Sequence, residues 1–116
     1  MQQSEYYGSF IILPAFKDIE KEIEALESMG DVICDVYIYW KIDAHNIEPR
    51  SAASEAHSDD VFEELVEIIK LLEEMGWEIW GRIIRYCESI DCIDLYFIST
   101  EDGEIHRKRG YLNDVD

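Results

Sequence analysis

Apolar residues fall along this chain in two rhythms, and the switches between them divide it into elements. Tyr6 to Leu13 is rich in aromatic and β-branched residues and reads as a strand. Pro14 suits the first turn of a helix, where its missing N–H costs nothing. Phe16, Ile19, Ile23 and Leu26 follow in steps of three and four, which is one helical face, and Gly30 is a natural stop. From Val32 to Ile42 the period returns to two. Val36, Ile38, Trp40 and Ile42 point one way, and Tyr37, Tyr39 and Lys41 the other. Asp43 to Asn46 reads as a turn, and Pro49 confines a short return strand from Ile47 to an edge. Ser51 to His57, small and polar, reads as a loop.

Ser58-Asp59-Asp60 is a helix start, with acids near the positive end of the helix dipole. Val61, Phe62, Leu65, Val66, Ile68, Ile69, Leu72 and Met75 then form a broad apolar stripe, closed by Gly76. Trp77 to Cys87 and Ile93 to Thr100 read as strands, Asp102-Gly103 as a hairpin turn, and Glu104 to Leu112 as a last strand. Asn113 to Asp116 is expected to fray. The predicted class is α+β, with two helices on one face of an antiparallel sheet. Its first six elements follow a ferredoxin-like split βαβ layout, and a C-terminal β-hairpin is added. Neither a repeat nor a linker interrupts residues 1–116, so a single domain is expected.

Composition agrees with a packed core. Hydrophobic residues make up 47%, with three Trp, seven Tyr and four Phe, whereas a disordered acidic tail needs low hydrophobicity as well as high charge. Cys34, Cys87 and Cys92 are odd in number and lack a paired framework, which points to free thiols in a reducing cytoplasm. No apolar stretch is long enough for a signal or a membrane span, and anionic lipid would repel so acidic a chain.

Charge changes the picture most. Twenty-seven Asp and Glu face ten Lys and Arg, a formal −17. So large an excess destabilises a compact state by self-repulsion, yet it attracts basic surfaces at range. The acids are also grouped. Glu20, Glu24 and Glu27 form a row on the first predicted helix, offset in part by Lys17 and Lys21; Glu63, Glu67 and Glu74 form one on the second, interrupted by Lys70, with Asp60 and Glu64 beside it. Helical neighbours three or four apart lie roughly 5–6 Å from each other, comparable to successive phosphates on a nucleic-acid strand. A third block runs through Glu88, Asp91, Asp94, Glu101, Asp102 and Glu104. Solvated helices are ordinarily charged, but ordinary surfaces intersperse both signs. Arg107-Lys108-Arg109 is the basic exception: it is expected to balance the acidic hairpin or to mark one edge, and it is too short to suggest nucleic-acid binding.

The sheet face opposite the helices is the second feature. Tyr37, Tyr39, Glu78, Trp80, Arg82, Ile84 and Tyr86 are expected there, beside Asp94, Tyr96 and Ile98. An uncovered aromatic face suits a homodimer, a protein partner or cover by the C-terminal hairpin. Base stacking fits less well, because phosphate contacts need Lys and Arg.

Catalytic patterns are sparse. The six glycines are isolated, no HExxH or EF-hand occurs, and His45, His57 and His106 have no sequence link to the cysteines. No enzyme, cofactor or dedicated metal site is expected. In size, charge and compactness the chain resembles phage-encoded anti-restriction and anti-CRISPR proteins that mimic DNA. That resemblance is one of class, and it carries no residue roles. It implies an inhibitor whose carboxylates compete with phosphates for a basic nucleic-acid-binding protein, a nuclease or defence effector. The expected contacts are Glu20, Glu24, Glu27, Asp60, Glu63, Glu64, Glu67 and Glu74, with Tyr39 and Trp80 as aromatic anchors. An immunity protein for a basic nuclease toxin uses the same electrostatics. A small-molecule-binding or homodimeric domain with incidental acidity is the remaining alternative.

Overall fold

The computed structural model describes residues 4–14, 18, 20, 21, 23, 24, 27, 37–42, 46–87, 92–99 and 102–111. Among them, six strands form one antiparallel sheet: β1 (Ser4–Pro14), β2 (Trp40–Ile42), β3 (Asn46–Pro49), β4 (Trp77–Cys87), β5 (Cys92–Ile98) and β6 (Ile105–Tyr111). Their order across the sheet is β2-β3-β1-β4-β5-β6. The two long central strands pair along their whole length, from Ser4 opposite Cys87 to Pro14 opposite Trp77. Gly8 and Gly81 make that contact close, with φ of +100° and +136°. A Cβ at either would lie 2.5 Å from a carbonyl oxygen of the facing strand, so only glycine fits.

One helix, α1 (Ser58–Glu74), lies on the sheet. Its stripe of Val61, Leu65, Ile68, Ile69 and Leu72 is buried with Phe10, Ile12, Trp40, Ile79, Ile83 and Tyr96 in one cluster. Each such side chain contributes about 1.5–3 kcal/mol when fully buried, so this stripe is the main bond between the layers. The indole Nε1–H of Trp40 donates to the Val61 carbonyl at 2.7 Å, which lets a buried Trp satisfy its one donor. Gly76, with φ +95°, ends the helix where the sequence predicted.

Several expectations need correction. The strand expected from Val32 begins only at Trp40; residues 37–39 are not in the sheet, and residues 32–36 lie outside the described residues. The reason is a competing acceptor. The Glu64 carboxylate takes the backbone N–H groups of Ile38 (2.8 Å) and Tyr39 (2.7 Å), so a side chain replaces the ladder there. Tyr37 and Tyr39 consequently pack against the core cluster rather than on the open face, and Ile38 is 62% exposed. The expected loop at Ser51–Glu55 is a 3₁₀ helix whose Ala53 is buried. Asp94, Tyr96 and Ile98, expected on the open face, are buried on the helix side.

In the segment read as the first helix, Glu20, Lys21, Ile23, Glu24 and Glu27 have helical backbone, and Asp18 Oδ1 accepts from the Glu20 N–H at 3.0 Å. Ile23, expected on the buried stripe, is 52% exposed. Phe16, Ile19, Leu26 and Gly30 lie outside the described residues, as do the 43–45 turn, the start of the Asp102-Gly103 hairpin block at Glu101, and the 113–116 tail.

Candidate functional site

Charge is arranged along α1 in three zones. At its N-terminal end His57 caps the helix, its Nδ1 accepting from the Asp59 N–H at 3.2 Å. Ser58 opens the helix, as the sequence indicated, and is buried; its hydroxyl accepts from Arg107 (2.9 Å) and Arg109 of β6. Asp59 accepts from the same two guanidiniums at 2.7 and 3.1 Å. Beneath them Asp94 is completely buried, held by Arg85 at 2.9 Å and Arg109 at 2.8 Å, with Arg107 3.8 Å away. Arg107 also sits 5.3 Å from the centre of the Phe62 ring.

Burial acts to lower the pKa of Arg85, but Tyr6 and Asp94 outweigh it, so the guanidinium holds its proton more firmly than usual. Burial pushes the Tyr6 phenol up to about 12 and raises that of Tyr96 as well, so both are neutral here. Arg85 Nε and the Tyr96 hydroxyl are buried with no hydrogen-bond partner among the described residues. Three guanidiniums and two carboxylates thus meet in one cluster, and the rest of the molecule is more negative than −17.

The solvent side of α1 is predominantly acidic, with the exposed Lys70 as its one cation. Asp60, Glu63, Glu67 and Glu74 are exposed, and none makes an ion pair among the described residues. Glu64 is half-buried and committed to the backbone of residues 38 and 39. Glu20, Glu24 and Glu27 are exposed as well, on helical backbone.

At the C-terminal end of α1, the start of β4 and the β5–β6 turn enclose an open cleft of 350 Å³. Trp77, Ile79 and Ile98 give it a buried apolar lining, and the half-buried Trp80 and the acidic residues Glu73 and Glu78 complete it. Burial raises the pKa of Glu73, and the charge of Glu104 raises it further. The last turn of the helix holds no basic residue.

On the opposite side of the sheet, register places Tyr7 beside Ile84 and Ile11 beside Trp80. Tyr7, Ile11, Leu13 and Ile84 are 55, 47, 43 and 37% exposed, so the face is apolar and open among the described residues. Trp80 therefore stands where the sequence put it, on the outer side of β4, whereas Tyr39 does not. The C-terminal hairpin does not cover this face, because β6 continues the sheet edge to edge with β5.

Asp102, Glu104 and His106 bring ligand-type atoms within 4.8 Å of one another at the β5–β6 turn, enough to meet a divalent ion. The same groups also close the turn, since Asp102 accepts from the Glu104 N–H at 2.9 Å and contacts His106 at 3.1 Å. These contacts lower the Asp102 pKa, the backbone hydrogen bond first. Cys87 and Cys92 occupy directly paired positions of β4 and β5 and are not joined by a disulfide, a juxtaposition their spacing alone did not reveal. His45 and Cys34 lie outside the described residues.

Sequence reasoning missed the Arg85–Asp94–Arg107–Arg109 cluster. The signal available was Arg107-Lys108-Arg109 itself, whose alternate residues share one strand face and so aim two guanidiniums at one partner. Among the described residues no helix is long and apolar enough to cross a membrane. No family model matches the chain, and neither a curated protein nor a solved structure matches it.

Proposed function

We propose that this chain is a small acidic inhibitor that binds a basic nucleic-acid-binding protein in the bacterial cytoplasm and blocks its nucleic-acid groove, in the manner of a DNA mimic. The observation that carries the reading is the separation of charge along α1. Arg85, Arg107 and Arg109 are drawn into an internal cluster, while Asp60, Glu63, Glu67 and Glu74 face solvent without ion-pair partners among the described residues. A surface left so one-sided attracts basic grooves quickly and in a salt-dependent way. Glu20, Glu24 and Glu27 extend it if the segment between β1 and β2 carries a helix beside α1. The β4-β1-β3-β2 order with antiparallel neighbours supports that split βαβ arrangement, with β5 and β6 added at the β4 edge. An anti-defence inhibitor and an immunity protein for a nuclease toxin both fit this mechanism.

The test is capture from host lysate at low and high salt, followed by competition with DNA. A basic nucleic-acid-binding protein, held at low salt and displaced by DNA, is expected. Charge reversal of Glu63, Glu67 and Glu74 should abolish capture while the circular dichroism spectrum stays unchanged. Capture that survives the reversal overturns the placement on α1, and capture indifferent to DNA overturns mimicry.

A second reading, a homodimer through the open sheet face, is favoured by the exposed Tyr7, Ile11, Leu13 and Ile84. Repulsion between two −17 chains opposes it, so it predicts a dimer that strengthens with salt in light scattering. A mass that stays monomeric at high salt removes it.

A further inference from the structure

The cleft at the C-terminal end of α1 combines an apolar aromatic lining with negative charge that no Lys or Arg among its described lining residues offsets. Its 350 Å³ falls at the lower end of ligand-pocket sizes, about 300–1,000 Å³. Trp77, Ile79 and Ile98 are buried in its wall and Trp80 is half-buried at its rim. Glu73 and Glu78 bring two carboxylates, and Glu104 is near enough to act on Glu73. Among the described residues no Lys or Arg lines it.

Two further features add to the negative potential. The carbonyl end of a helix carries about half a negative charge, and α1 has Glu73 and Glu74 in its last turn with no basic residue there. That order is the reverse of what stabilises a helix terminus. Glu73 also resists ionisation because burial and Glu104 both penalise its charge. A cation in the cleft would relieve both penalties, whereas an anion or a neutral polar group would relieve neither.

We propose that the cleft formed by Trp77, Trp80, Glu73 and Glu78 receives a guanidinium-bearing side chain, an arginine of the basic partner. Arginine fits better than lysine: its planar head stacks on indole and meets carboxylates in a fork, and it is more weakly hydrated than an ammonium. Its methylene stem matches the Ile79 and Ile98 wall. The proposal deepens the inhibitor reading and rests on it for the source of the arginine. It would give a surface otherwise dependent on long-range attraction one desolvated anchor of the kind that slows dissociation.

The binding test needs no partner. N-acetyl-arginine amide is titrated into the ¹⁵N-labelled chain, and the indole N–H signals are followed. Trp77 and Trp80 should shift together and saturate in the millimolar range, while the fully buried Trp40 stays still as an internal control. The neutral isostere N-acetyl-citrulline amide should leave all three unmoved. The double variant Glu73→Gln/Glu78→Gln should weaken binding about tenfold or more, with the Trp40 signal unchanged. No shift with the arginine probe, an equal shift with citrulline, or an unweakened double variant each overturns the proposal. Saturable arginine binding by a chain that captures no basic protein would sustain the cleft and remove the inhibitor reading. DNA-sensitive capture without arginine binding would do the reverse.

Discussion

The two ends of α1 handle charge in opposite ways. At the N-terminal end Asp59 and Ser58 meet Arg107 and Arg109, and the buried Asp94 below is bound by Arg85 and Arg109. At the C-terminal end Glu73, Glu78 and Glu104 gather around a cleft that no Lys or Arg lines among the described residues. The difference follows from burial. Asp94 is wholly removed from water, where an unpaired charge costs several kcal/mol, roughly 3–5 when a partner is removed. Glu78 is exposed and Glu73 is only partly shielded from water, so repulsion there is screened within roughly 8–10 Å at ordinary salt. Three of the five arginines, Arg85, Arg107 and Arg109, are held by the carboxylates of Asp94 and Asp59, and the acids of α1 beyond them are left at the surface.

The largest effect should come from breaking the paired end. Asp94→Ala leaves Arg85 buried without its counter-ion and should cost about 3–5 kcal/mol in urea unfolding. The double replacement Arg85→Met/Asp94→Leu, which removes the charges together, should recover most of that loss. If Asp94→Ala costs no more than a surface substitution, the contrast between the two ends is one of appearance and not of energetics.

How far this arrangement was legible in the sequence differs from element to element. The α1 stripe and the Gly76 stop were readable because helical period and a positive-φ glycine are local properties. β4 was readable too, since Trp77, Ile79 and Ile83 alternate with Glu78 and Arg82. β5 was not. Ile93, Leu95 and Phe97 on one side are as apolar as Tyr96 and Ile98 on the other, so periodicity defines two faces without saying which is inside. Asp94 then pulled the assignment the wrong way, because a buried carboxylate looks like a solvent residue until its arginines are seen. Those partners come from β4 and β6, and pairing across strands is not a local property. Tyr37 and Tyr39 misled for a related reason. Their alternation continues that of Trp40 and Ile42, but Glu64, twenty-five residues after Tyr39, takes the backbone donors a strand would need. Among the acids, charge counting treats Asp94, Glu64 and Glu63 alike, although one is in the core, one holds backbone and one is free.

Glu64 and Glu63 sharpen the comparison at the middle of the helix. Charged hydrogen bonds contribute about 1.5–3 kcal/mol, and Glu64 makes two of them, to Ile38 and Tyr39. Glu64→Ala should therefore destabilise by about 1.5 kcal/mol or more and increase amide exchange at residues 38 and 39. Glu63→Ala, one position away and exposed, should change stability by less than about 0.5 kcal/mol. Equal costs for the two would mean that the acids of α1 do not divide into structural and free groups.

The smallest effect should come from the unpaired end, and its sign is the reverse. Burial first, and then the charge of Glu104, raise the pKa of Glu73 above its ordinary 4.5. Between that value and the raised one, the folded chain binds more protons than the unfolded chain, so stability falls as pH rises through this window. Above it the penalty is fully present, and below 4.5 it is absent. Glu73→Gln should thus melt higher than the parent at neutral pH, with the gap closing as the pH drops through the window. Added salt screens the Glu104 contribution but not the cost of burial, so it should narrow the gap without closing it. Saturating the cleft with N-acetyl-arginine amide should narrow the gap as well, because a bound cation favours the ionised Glu73. A Glu73→Gln variant that melts lower than the parent at neutral pH would mean that this carboxylate already has a partner, and the two ends of α1 would then be alike.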